Sequence, residues 1–363
     1  MKMASSKSAE TIAGTETSKE IKEQYKKFVK RKILFIFALI SIIFIIAGIA
    51  ATLGAYQISF TEVYSIIWHG IFQDPVTDEE LVVWNLRLPR IIMAILAGFG
   101  LAVAGVMMQG ILRNPLASPF TIGIASGAGF GAAIAICFGT GLVAGEYLVI
   151  VNAFIFALIP TFIILGLARY RSATPETMIL AGIALFYIFS GLIALVMYFS
   201  EAEPMREAYF WMVGSLSKAS GWKSFLVFIV VVGCIIPLMW KAWDINVMGA
   251  GDETAKSLGV NVDRTRIFVM VIASLLTAGI VCFTGTIGFI GLVSPHICRI
   301  IIGGDNRFLI PASGLFGAVL LLSADIVAVN IMPDQTLPVG ILTYLMGGPL
   351  FLYLIIRRKK EYW

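Results

Sequence analysis

Charge is scarce in this sequence. Only 13% of its 363 residues are Asp, Glu, Lys or Arg, against 59% apolar, whereas soluble domains carry about a quarter charged residues. With a mean hydropathy of +0.91, that balance excludes a soluble globular enzyme and a disordered chain. Histidine is scarcer still. The two present, His69 and His296, do not form the H-E-x-x-H zinc motif. The four cysteines, Cys137, Cys234, Cys282 and Cys298, are scattered through apolar runs without metal-ligand spacing. They read as small apolar core residues rather than a disulfide framework or a metal site. No G-x-S-x-G elbow and no G-x-x-x-x-G-K-[ST] loop occurs, so the chain has no phosphate-cradling loop with which to hydrolyse ATP itself. Ser294 and His296 lie close, but a Ser-His dyad also needs an orienting third group and an oxyanion hole. No catalytic residue is expected.

What the sequence does have is continuous apolar runs. The first extends from Ile33 to about Leu53, and others begin near Ile91, Pro119, Tyr147, Met178, Phe225, Ile267, Ile287, Phe308 and Leu337. At about 20 residues per crossing these make ten membrane-spanning helices. The runs do not alternate in polarity, which excludes a transmembrane β-barrel. The expected fold is therefore all-α and polytopic: a polar tail over 1–32, read as disordered or frayed, and a ten-helix membrane domain over 33–363. The tail closes on the basic run Lys26–Lys32, and its length and the lack of a cleavage site argue against a secretory signal. Thirty-five glycines fit membrane helices that approach closely. Gly123, Gly127 and Gly131 repeat every four residues and read as a helix-packing stripe.

The cations fix an expected orientation. Placing the amino terminus in the cytoplasm puts 22 of the 27 Lys and Arg residues inside, including Arg357, Arg358, Lys359 and Lys360 at the carboxyl end. The other side keeps Arg87, Arg90, Arg206, Lys218 and Lys223. This is the positive-inside pattern of a cell-membrane protein with both termini cytoplasmic. The pI of about 9.0 belongs to that inner face and is no sign of nucleic-acid binding. Asp325 is the only acid well inside an apolar run. Ion-driven transport normally needs ionisable groups at mid-membrane, so the energy for any transport is expected from a partner.

Three segments suggest partners. Leu86-Arg87-Leu88-Pro89-Arg90 holds two arginines on a proline-stiffened backbone at the outer face, suited to carboxylates of a protein outside or to snorkelling at the interface. Arg113-Asn114-Pro115-Leu116-Ala117-Ser118-Pro119 breaks the helix twice, and irregular backbone at membrane depth survives only in a tight turn or against a cavity. The loop over about 243–266 contains Gly251-Asp252-Glu253-Thr254-Ala255-Lys256-Ser257-Leu258-Gly259. It reads as a short amphipathic helix ended by Gly259 in a left-handed cap, with Arg264 and Arg266 as a basic flank.

Together these segments resemble the FecCD-type permeases, the membrane subunits of ABC importers for iron-siderophore, haem and cobalamin. The likeness includes the LRLPR run, Gln109 with the RNPLASP run, the Gly251–Gly259 loop, Trp211-Met212-Val213-Gly214-Ser215, Gly288 to His296, and Leu337-Pro338-Val339-Gly340. The resemblance implies a type II importer permease working as a homodimer, its path lined largely by the helix that begins near Met178. It implies two ATPase subunits, carrying ATP and Mg, that grip Gly251, Asp252, Glu253, Ala255, Leu258 and Gly259. It also implies a substrate-binding protein docking outside at Arg87 and Arg90. Gln109, Arg113, Asn114, Pro115, Pro119, Pro295 and His296 become structural or gating positions, with Pro295 and His296 in a helix-end motif. Family members commonly carry an arginine where this chain has Val329, and a glutamate where it has Thr336. The competing reading is an ion-coupled secondary transporter of a small organic substrate.

Overall fold

The computed structural model describes residues 3–54, 56, 58–171, 174–332 and 335–356. The cations Arg357, Arg358, Lys359 and Lys360 lie outside the described residues. Among the described residues the chain is helical throughout, with turns and no strand. In chain order the helices are α1 (Met3–Thr52), α2 (Phe60–Gly70), α3 (Asp78–Val82), α4 (Leu88–Leu112), α5 (Ile124–Phe138), α6 (Leu148–Arg171), α7 (Pro175–Tyr198) and α8 (Ala202–Val213). They continue with α9 (Gly221–Trp240), α10 (Ala242–Met248), α11 (Asp252–Ser257), α12 (Val262–Thr284), α13 (Ile290–Ile302), α14 (Asn306–Asn330) and α15 (Val339–Ile356).

Seven of these are long and apolar enough to cross a bilayer, and α5, α13 and α15 are shorter apolar helices. They stand where the ten runs of the sequence stand. Two features depart from the sequence reading. The polar segment expected as a frayed tail is helical from Met3 and continuous with the first span. Short helices α2 and α8 occupy connections that a search for spanning length passes over.

Helix α4 is the centre of the bundle. In its most apolar stretch 78% of the residues are buried, whereas in that of α1 11% are, so α1 lies at the periphery. Small residues make the central position possible. A Cβ on Gly105 would lie 1.8 Å from the Gly291 carbonyl oxygen of α13, so these two backbones touch directly. Gly127 and Gly131 of the expected stripe do the same between α5 and α6, whereas Gly123 is the left-handed residue that leads into α5, at φ +88°. A Cβ on Gly127 would come within 2.4 Å of the Phe156 oxygen, and one on Gly131 within 2.5 Å of the Asn152 oxygen.

Candidate coupling and docking sites

One end of the bundle carries α11. Gly251, at φ +113°, turns the chain into this helix, and Gly259, at φ +85°, turns it out. The Gly259 N–H donates to the Lys256 carbonyl and the Val260 N–H to the Ala255 carbonyl, each at 3.0 Å. That pair of bonds is a Schellman cap, which needs a residue free to adopt the left-handed region. Ala255 is fully buried against Met248 and Val262, with Val260 packed beside them. Glu253, Lys256 and Leu258 face outward. The short amphipathic helix expected here is present, and its cap is the one expected.

Its tether was not legible in the sequence. Arg266 of α12, expected as part of a basic flank, is 1% exposed. Its Nη2 donates to both Asp252 carboxylate oxygens at 3.1 and 3.0 Å, and its Nε donates to the Ile111 carbonyl at 3.1 Å. Arg113 approaches the same carboxylate at 3.5 Å. Arg113 caps α4 in the left-handed region at φ +45°, so α11, α12 and the end of α4 meet at one acid. Arg264 remains exposed.

The RNPLASP run forms a compact double turn after Arg113. The Asn114 side chain accepts the Leu116 N–H at 2.9 Å. Pro115 lies in that turn, and Pro119 opens a short 3-10 turn over Pro119–Ile122 that leads into α5. Gln109, one turn earlier and fully buried, donates to the Leu292 carbonyl of α13 at 3.4 Å. Pro295 and His296 do not stand at a helix end as expected. Pro295 is inside α13, and the His296 ring meets Phe351 of α15 edge-on at 6.4 Å.

At the opposite end of α4 stands Arg90, 23 positions before Arg113 and about 35 Å away along the axis. Here the LRLPR run is helical: Val83–Arg87 forms a π-helical turn that passes directly into α4, with Pro89 in its first turn. Arg90 makes a bidentate pair with Asp325 of α14, Nε to Oδ2 at 2.8 Å and Nη2 to Oδ1 at 2.9 Å. Asp325 is 4% exposed. The lone acid of the apolar runs thus has a partner 235 positions away, a pairing that no local pattern announces. Arg87 donates instead to the carbonyls of Ala51 and Tyr56. Val329 and Thr336, where the resemblance implies an arginine and a glutamate, line the same cavity of about 400 Å³ as Arg87, Arg90 and Asp325.

A second cavity, about 390 Å³, opens beside α7. Ser126, Phe186, Ser190, Met212, Phe289 and Tyr344 are among its walls, and none of the described residues that line it is charged.

The profile of the FecCD transport family matches residues 38–357. The chain belongs to the FecCD transport family. An ABC transporter permease protein of Methanocaldococcus jannaschii is 46% identical over 94% of this chain and 99% of its own. The hemin transport system permease protein HmuU of Yersinia pestis is 36% identical over 92% of this chain and 98% of its own. The cobalamin import system permease protein BtuC of Halobacterium salinarum is 39% identical over 77% and 74%. A solved metal-chelate type ABC transporter in an inward-facing conformation superposes with a TM-score of 0.79, at 32% identity over 89% of this chain and 99% of that one. This FecCD protein is accordingly an integral membrane permease of the ABC-importer class. The Arg266–Asp252 and Arg90–Asp325 pairs bind α11 and the LRLPR run into its bundle.

Proposed function

We propose that this permease imports a metal chelate of the iron-siderophore, haem or cobalamin kind as a homodimer, driven by ATP bound with Mg on two separate ATPase subunits. The reading places both termini and α11 on the cytoplasmic side, where the cation excess lies. The ATPases then grip the outward residues Glu253, Lys256 and Leu258, and closure of the nucleotide-bound dimer pushes α11. Arg266 and Arg113 pass that displacement from Asp252 to α12 and α4. The uncharged cavity beside α7 is the proposed path, and a wall without fixed charge suits a bulky chelate that must not stick.

The observation that carries this reading is the Asp252 clamp, which joins an exposed helix to the centre of the bundle by charge-assisted hydrogen bonds. The binding protein docks at the other end, near Arg87 and Arg90. The ion-coupled alternative loses its one candidate carrier, because Asp325 is bound by Arg90 on both carboxylate oxygens. Reconstitution into liposomes with the ATPase and the binding protein tests the proposal. Uptake of a ferric chelate, haem or cobalamin should require hydrolysable ATP. Uptake driven by an ion gradient without any ATPase would refute it.

A further inference from the structure

Helix α2 is too short to span and is divided into three faces. At 3.6 residues per turn, Val63 and Ile66 point into the bundle, where they are 0% and 8% exposed. Thr61, Glu62, Ser65 and His69 form an exposed polar face. Between the two, Phe60, Tyr64 and Trp68 follow each other at every fourth position, 56%, 49% and 66% exposed. The rings of Phe60 and Tyr64 pack at a tilt of 53° with centroids 4.7 Å apart, and Trp68 continues the line to Phe72 at 6.1 Å. A soluble surface would not leave an ordered aromatic row in water.

We infer that α2 is a membrane-interface helix whose Phe60–Tyr64–Trp68 row lies in the lipid headgroup and upper acyl region, with its polar face toward water. Depth supports this. Tyr64 and Phe60 rest against Gly48 of α1, where a Cβ would lie 2.8 Å from the Tyr64 hydroxyl. Gly48 is four residues from the end of α1, about 6 Å along its axis, the level at which a spanning helix leaves the hydrocarbon. Continuity supports it as well. The aromatic row adjoins α1, a peripheral span whose Leu34, Phe37, Phe44 and Ile45 are 61–73% exposed and suit a lipid surface. Tyr and Trp are the residues that favour this zone, because a flat apolar ring there carries a polar tip.

The anchor reaches the LRLPR run. Trp84, in the turn that ends at Arg87, donates its indole N–H to the Ile66 carbonyl of α2 at 3.2 Å, and its ring fills the space against Gly70. Lipid contact through α2 therefore holds the turn that carries Arg87.

Fluorescence of the full chain in lipid bilayers tests the inference. Subtracting the emission of Trp68→Phe from that of the unchanged protein isolates Trp68 among the seven tryptophans. Phosphatidylcholine brominated near the carbonyl end of its acyl chains should remove most of that signal. Quenching by aqueous iodide alone would place α2 in water, and protection from both quenchers would place another protein or a second copy over it; either result overturns the inference. Phe60→Trp in the Trp68→Phe background moves the probe two turns along the same face, and should show the same strong lipid quenching if the helix lies flat in the interface.

Discussion

Arg266 and Asp252 are 14 residues apart and joined by two hydrogen bonds from one guanidinium nitrogen, at 3.1 and 3.0 Å. One member is buried and the other is 28% exposed, so the pair bridges the interior and the exposed loop helix. Removing Arg266 as Met strands the carboxylate beside Arg113 alone and leaves the Ile111 carbonyl without its side-chain donor. The expected loss of stability is about 3 kcal/mol. Arg266→Lys keeps the charge but not the fork, so it should retain insertion and ATPase binding while lowering uptake per ATP hydrolysed. A double-mutant cycle with Asp252→Asn should return a coupling energy of about 1–3 kcal/mol. An unchanged uptake-to-ATP ratio in Arg266→Lys would remove the clamp from the coupling route.

At the other end, Arg90 and Asp325 form a buried pair, and breaking it should cost more than deleting it. Arg90→Met or Asp325→Leu alone is expected to lose about 3–5 kcal/mol, and the double variant should recover most of that. Thermal unfolding in detergent is the measurement. Equal losses in single and double variants would show that packing, not charge, dominates the site.

Asp325 neutralises Arg90, whereas Arg87 donates to the backbone carbonyls of Ala51 and Tyr56, so under the proposed function Arg87 carries most of the docking charge. Arg87→Glu should slow association with the binding protein at low salt by about tenfold or more. The effect should fade as salt is raised. Unaltered association kinetics at low salt would take Arg87 out of the docking surface.

Gly259 has no atom within 4 Å of a Cβ built on it, so substitution there meets only the backbone. Gly259→Ala should cost about 1–2 kcal/mol through the left-handed conformation, fray the cap of α11 and reduce ATP-driven uptake. Gly259→Asn, which tolerates that region better, should keep more transport than Gly259→Ala. Equal uptake by all three proteins would separate the cap from coupling.

Asp305 caps α14 and also holds Asn246 at 2.9 Å and Arg307 at 2.8 Å. Partial burial acts to raise its pKa, but these partners outweigh it and bring the carboxyl from 3.8 down to about 2. A depressed folded-state pKa means the stabilisation is complete above about pH 4 and disappears as pH falls through about 2. The melting temperature of Asp305→Asn should therefore lie below that of the unchanged protein at pH 7. The gap should narrow only below about pH 4; a gap that is constant with pH would mean the carboxylate charge contributes nothing.

Length and polarity along the chain were enough to place the spans, because a bilayer demands about 20 apolar residues per helix, and that demand is local. The glycine stripe and the Gly259 cap were legible for the same reason: each depends on a spacing or a single backbone angle. Other features depend on residues far apart in sequence. That Arg266 is buried while Arg264 is exposed follows from how α12 packs on α4, and both read alike as basic residues near a loop. Asp325 looked like an isolated acid until α14 was set against α4 and met Arg90. The aromatic row of α2 has a clear period, but only its position against Gly48 of α1 gives it a depth. Solvation and backbone geometry write themselves into neighbouring residues, whereas charge pairing and depth are decided by which helices touch.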